Sequence, residues 1–175
     1  MNEAPAEPNL GAGGRMGLPK GYTFCVARHE DAALLARFRA AMFSDMGAPL
    51  EDGWKACWTA YFGAAVMDRR YWSVLAEVEG VPVSCAGLMF FPMVPVPSDP
   101  GGLRAHVQGV YTVPEQRGRG LGEALTREVL AEAQRRGVKS ANLNAAVMGR
   151  PMYKRMGFEE AKAPEMRLNL GAWTE

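Results

Sequence analysis

Between Val110 and Leu125 the chain reads VYTVPEQRGRGLGEAL, and few folds admit such a segment. A β-branched, aromatic run closes at Pro114, glycines follow at 118, 120 and 122, and a strong helical pattern begins. A strand therefore passes through a glycine-rich turn straight into a helix. Gly118, Gly120 and Gly122 remove side chains from the turn, so main-chain N–H groups can converge on a ligand. Those groups sit at a helix N-terminus, where unpaired donors and the helix dipole favour an anion. Arg117 and Arg119 add positive charge. The chemistry points to phosphate, best to a diphosphate, although a turn of this kind is also found simply as a tight connection. No Lys-Ser/Thr follows the glycines, so this is not a P-loop. Read as Gly-x-Gly-x-x-Gly, the segment places Glu123 or Leu125 where the third glycine belongs, so the dinucleotide fingerprint fails too.

The rest of the chain bounds what can surround this turn. At 175 residues it has room for one ordinary domain of roughly 100–200 residues. Twenty Lys and Arg against nineteen Asp and Glu leave a net charge of +1, so there is no general pull toward nucleic acid or anionic lipid. No apolar run reaches the roughly 18–20 residues of a membrane span. Cys25, Cys57 and Cys85 are too scattered for a disulfide framework or a zinc site and read as buried thiols of a reducing compartment. Residues 1–20 are rich in Gly, Pro and Ala, lack the apolar core of a signal peptide, and read as a disordered lead-in to a domain over 21–175. The cytoplasm is the expected compartment.

Hydrophobic periodicity supplies the elements. Residues 22–27 suit a short strand. Leu34, Leu35, Phe38, Met42 and Met46 recur at helical spacing until Gly47 and Pro49. A second helix carries Trp54, Trp58, Tyr61 and Phe62, with Asp52 as its expected cap. Residues 71–91 read as a hairpin turning at Glu79-Gly80, and the four prolines and two glycines between Pro92 and Gly102 mark a loop. Residues 104–113 are a strand. The next helix has an apolar stripe of Leu121, Leu125, Val129 and Ala133, with Glu123–Arg127 and Glu132–Arg136 pairs, and stops at Gly137. VKSANLNAAV reads as a strand, GRPMYKRMG as a short helix, and FEEA and EMRLNL as closing strands. The order predicts an α/β fold with a mixed sheet of about six or seven strands and helices on both faces.

The pattern Arg117-x-x-Gly120-x-Gly122 resembles the acetyl-CoA-binding motif of the GNAT-type N-acetyltransferase superfamily. Residues 149–158, GRPMYKRMGF, resemble that family's second segment, in which a Tyr precedes a Gly-Phe pair. The order of elements from Tyr22 to Leu170 is also similar to the family's. The resemblance implies a GNAT fold and acetyl transfer to an amine of a small molecule or peptide, by direct attack in a ternary complex without metal. It implies that Arg117, Gly118, Arg119, Gly120, Leu121 and Gly122 hold the diphosphate. The backbone at Val110, Tyr111 and Thr112 would pair with the pantetheine arm as an added strand, Gly109 being compatible with a bulge there. An Asn helps hold the cofactor in many members; its place here falls near Ala146, with Asn142 and Asn144 as substitutes. Tyr153 becomes the acid that protonates the departing thiolate, reasonable because thiols titrate near ~8.5 and phenols near ~10. Tyr153 also reads as a packing aromatic.

An alkyl ammonium near pKa ~10.4 must lose a proton before it can attack. His106 lies at an early fourth-strand position where several family members carry a Glu or His, and an imidazole titrates near ~6.5. It also reads as an exposed strand-start residue. Gln108 shares its face by alternation. Glu77 is a second candidate base, and His29 reads as a helix-terminus residue. In this family the first two helices build the acceptor pocket, so Phe38, Met42, Trp54, Trp58, Tyr61 and Phe62 are candidates to line it or are core. Asp45, Glu51 and Asp52 form a modest acidic patch or are solvated caps. Two other readings of the same chain stand beside the enzyme: a CoA-binding sensor without turnover, and an acyltransferase with a longer acyl donor or a hydroxyl acceptor. The assembly state is open, a homodimer among the options.

Overall fold

The computed structural model describes residues 17–97, 99–163 and 165–171. Residues 1–16, most of the expected lead-in, lie outside the described residues, and residues 17–20 join no helix or strand. The chain forms two compact units, the first ending at Asn144 and the second beginning at Ala145.

The first unit is a five-stranded sheet with helices on both faces. Its strands are β1 (Thr23–Val26), β2 (Tyr71–Val78), β3 (Val81–Pro92), β4 (Leu103–Thr112) and β5 (Ala141–Leu143), in that spatial order. The first four pair antiparallel and β5 joins β4 in parallel. The β2–β3 turn is tight because both central residues are left-handed, Glu79 at φ 52° and Gly80 at φ 75°. Strand alternation then sorts the core. Tyr71, Leu75, Cys85 and Tyr111 face helices α1 (Ala32–Asp45) and α2 (Trp54–Met67), packing with Leu35, Phe38 and Phe62. The alternate residues Val74, Ala76, Leu88, Ala105 and Val107 are also buried. They point the other way, toward helix α3 (Leu121–Arg135), which lies across β2, β3 and β4. Its expected stripe of Leu121, Leu125, Val129 and Ala133 is buried. Its expected pairs form, Arg127 to Glu123 and Arg136 to Glu132, both at 2.8 Å.

Three expectations fail locally. Gly53, left-handed at φ 81°, is the N-cap of α2, so Asp52 does not cap it. The strand expected over VKSANLNAAV shrinks to β5, because Gly137 and Val138 are used to stop α3: Gly137 N–H donates to Gln134 and Val138 N–H to Ala133. Among the described residues the closing strands do not form, and the sheet has five strands, not six or seven. Met166, Leu168 and Leu170 alternate as a strand would, yet they are exposed and join no ladder among the described residues. Alternation alone does not make a strand; it needs a neighbour to pair with.

The second unit contains helix α4 (Arg150–Arg155). Its end explains the Tyr…Gly-Phe spacing. Gly157 turns left-handed at φ 94°. Its N–H donates to Lys154 and the N–H of Phe158 to Tyr153, a helix stop that sets the Phe158 ring against Tyr153 at 5.7 Å.

Candidate active site

The β4–β5 ladder is short. It pairs Ala105 with Ala141, His106 with Asn142 and Val107 with Leu143, and there it ends, while β4 continues to Thr112. Beyond Val107, β4 has a strand partner among the described residues only on its β3 side. A bulge falls in the same stretch. Cys85 faces Tyr111 and Gly87 faces Gln108, so β4 spends one residue more than β3 over that interval. Gly109, at φ 63°, takes the turn, as its position suggested. The Cys85 Sγ–H donates to the Gly109 carbonyl at 3.0 Å. Past the bulge, Val113 N–H donates to Val83 O across the β3 ladder. Alternation then turns the polar main chain of Thr112 and Val110 toward the open edge. This is the stretch expected to receive an extended ligand arm.

β4 leads through a single turn at Pro114–Gln116 into the glycine-rich loop. Gly118 and Gly120 are left-handed at φ 75° and 79°, and a Cβ built on either would meet nothing within 4 Å. Conformation, not crowding, demands glycine there, and the space in front of the main chain is open. Gly120 is the N-cap of α3 and offers no side-chain cap. The first amide bonded within the helix is that of Ala124, to Gly120 O at 3.0 Å. The amides of Leu121 and Gly122 precede it at the positive end of a 15-residue helix. A diphosphate fits this donor set. Arg119 is exposed beside it.

Arg117 makes three contacts of its own. Its Nε–H donates to the Thr112 carbonyl at 3.0 Å, its terminal nitrogen is paired with Asp45, and its guanidinium lies over the Tyr111 ring at 5.7 Å. Asp45, the last residue of α1, is thus exposed but engaged with the arginine that opens the loop. The hydrogen bond to that carboxylate raises the Arg117 pKa further. The Asp45 carboxylate and burial both push the Tyr111 phenol up, burial more.

His106 lies one strand from Met89 on the face covered by α1 and α2. Its Nδ1 is 2.8 Å from Asn142 Oδ1. An amide oxygen only accepts, so in the neutral ring Nδ1 carries the proton and Nε2 keeps the lone pair. Met89 in turn receives the Tyr61 hydroxyl at 3.8 Å, and Gln108 follows on the same face. His106, Asn142, Gln108, Met89 and Tyr61 thus gather beside the open β4 edge. Glu77 does not join them. It sits at the far end of β2, where it accepts from the Cys25 thiol at 3.5 Å. His29 opens a short turn before α1 and packs on the Gly63 carbonyl. Phe38 and Phe62 are core, while Trp54 and Trp58 are half-buried and pack with tilted rings, 5.3 Å between centroids. Cys57 is exposed, contrary to expectation; Cys85 is buried and Cys25 partly so.

In the second unit, Tyr153 is half-buried, and burial raises its phenol pKa above the ordinary value. Asn144 ends the first unit and is exposed. Sequence reasoning missed Tyr71. It is fully buried, and a Cβ at Gly87 would stand 2.0 Å from its hydroxyl, one at Gly109 3.1 Å. The Tyr71 ladder partner is Met89, and its ring reaches across to Gly87, the partner of Ser73, so no local sequence signal announces the contact. Among the described residues no three His, Cys, Asp or Glu side chains cluster as a metal site would need, and no helix is long and apolar enough to cross a membrane.

Comparison with known proteins follows the same lines. The acetyltransferase (GNAT) family profile matches residues 36–158. No curated protein matches the chain. Among solved structures, a predicted acetyltransferase from Clostridium acetobutylicum, solved with acetyl-CoA, is 24% identical with a TM-score of 0.82, over 88% of this chain and 99% of that one. A GCN5-related N-acetyltransferase from Ralstonia eutropha JMP134 is 29% identical with a TM-score of 0.74, over 85% and 99%. A ribosomal-protein-alanine N-acetyltransferase from Brucella melitensis biovar Abortus 2308 is 20% identical with a TM-score of 0.62, over 86% and 99%. The first and third of these speak to fold alone.

Proposed function

Because the chain belongs to the acetyltransferase (GNAT) family, we propose that it moves an acetyl group from acetyl-CoA to an amine of a small molecule or peptide, by direct attack in a ternary complex. The observation that supports this reading best is the continuity of two features: a β4 edge with no strand partner beyond Val107 among the described residues, and a left-handed glycine loop that starts α3. An extended arm ending in a diphosphate needs both, in that order. Membership of the family supports acetyl-CoA as the donor, and the name of the Ralstonia relative supports nitrogen as acceptor.

Acetyl-CoA supplies an activated acyl group and a thiolate leaving group. The main chain of Gly118 to Gly122, with Arg119, binds the diphosphate, and Val110 to Thr112 orient the arm along β4. Asn144 is a further candidate contact. His106 accepts the ammonium proton at Nε2, directly or through a water, while Asn142 fixes its ring. Tyr153 returns a proton to the thiolate; its raised pKa keeps the phenol protonated at neutral pH. The cytoplasm is the proposed compartment.

The test is a screen of small amines, amino acids, polyamines, aminoglycosides and peptides, following free thiol released from acetyl-CoA. In Tyr153→Phe, turnover should fall roughly 100-fold or more while CoA affinity is kept. CoA binding with no turnover across the panel would replace the enzyme with a sensor. Turnover only with longer acyl donors or alcohols would revise the substrate.

A further inference from the structure

We infer that Asp45 is a positioning residue for the donor loop: it holds Arg117 as a strut, so that the loop's main chain, and not the Arg117 guanidinium, binds the diphosphate. This rests on the donor reading above. Arg117 immediately precedes Gly118, the first of two left-handed residues. Three contacts already fix it. The Thr112 carbonyl ties it back to the end of β4, Asp45 ties it to the end of α1, and the Tyr111 ring lies beneath it. Tyr111 is itself buried against Phe38 of α1 at 5.6 Å. One set of contacts therefore joins α1, β4 and the start of the loop. To reach a phosphate Arg117 would have to give these up, and its charge is already balanced. Asp45 lies outside the loop and outside its sequence pattern, 72 positions away along the chain.

Isothermal calorimetry with CoA, on the full chain, tests this by sign. Asp45→Asn keeps the shape and removes the charge; the strut should loosen and CoA should bind about threefold more weakly, as befits a partly exposed pair. Asp45→Glu should restore most of the affinity. Arg117→Gln should cost about tenfold, and adding Asp45→Asn to it should cost nothing more, because both act through one contact. The ligand-free melting temperature should stay within about 3 °C in all four variants, as for surface changes. Unchanged or tighter binding by Asp45→Asn would overturn the inference, since Arg117 would then be a ligand for which Asp45 competes. Additive losses, or a large drop in melting temperature that tracks the affinity, would overturn it as well. If the unaltered protein gives no heat with CoA, the donor reading itself falls and takes the strut with it. That outcome is distinct from a variant that binds CoA with the wrong sign.

Discussion

At the scale of single residues, two kinds of glycine do different work. Gly120 is needed for its backbone angle, with open space around it. Gly120→Ala should cost ~1–2 kcal/mol in a urea melt, the price of a left-handed L-residue, and should also weaken CoA. Gly87 is needed for its size. A methyl there meets the Tyr71 oxygen at 2.0 Å and the ring carbon at 2.4 Å, inside a closed core. Gly87→Ala should destabilise by ~1–3 kcal/mol. Tyr71→Phe should not rescue it, because the ring carbon remains in the way; full rescue would show that the hydroxyl alone sets the fit. The loop glycines could be read from sequence because a helix start announces them. Gly87 and Tyr71 could not, since the two sit on neighbouring strands and meet only through register. The Arg117–Asp45 pair was hidden for the same reason: nothing in the motif points to a partner on α1.

At the scale of elements, helix ends were more legible than sheet edges. Glycine stops at Gly47, Gly137 and Gly157 are local chemistry, and each is left-handed in the structure. The six-residue α4 depends on such a stop, because so short a helix has little stability of its own. Gly157→Ala, at φ 94°, should therefore loosen α4 by ~1 kcal/mol, about fivefold in amide exchange at Tyr153 and Met156. Exchange there unchanged from the parent would mean that the Tyr153–Phe158 contact, not the turn, holds the helix. Sheet edges follow a different logic. The end of β5 at Leu143 and the unpaired run of β4 depend on which chain segment is absent beside them, and no residue type encodes an absence. The closing strands failed on the same ground: Met166, Leu168 and Leu170 carry a strand's alternation without a strand's neighbour.

For the molecule as a whole, the layered core was readable because two periods, 3.6 and 2, sorted apolar residues onto helix stripes and strand faces without knowledge of topology. The thiols were read from the same pattern and only half correctly, and their placement carries a consequence for stability. Cys85 sits in the core between the sheet and α1, and burial pushes its thiol up to about 12; Cys25, beside Glu77, is pushed to about 11, chiefly by burial. Below pH 9 folded and unfolded chains both keep these protons, and nothing is lost. Above pH 9 the unfolded chain gives them up while the folded chain still holds them, so rising pH draws the equilibrium toward unfolding until the folded thiols also ionise. For Cys85 the full interval amounts to roughly 4 kcal/mol. Urea midpoints measured from pH 8 to 11 should therefore fall more steeply in the parent than in Cys85→Ser, whose hydroxyl can still donate to Gly109 but does not titrate there. Parallel slopes would place Cys85 in contact with solvent. At pH 8 a thiol reagent should meanwhile label the exposed Cys57 quickly and the other two slowly. Cys57→Ser should remove the fast phase alone, and a fast phase that survived it would mean the core around Cys85 opens far more often than its packing allows.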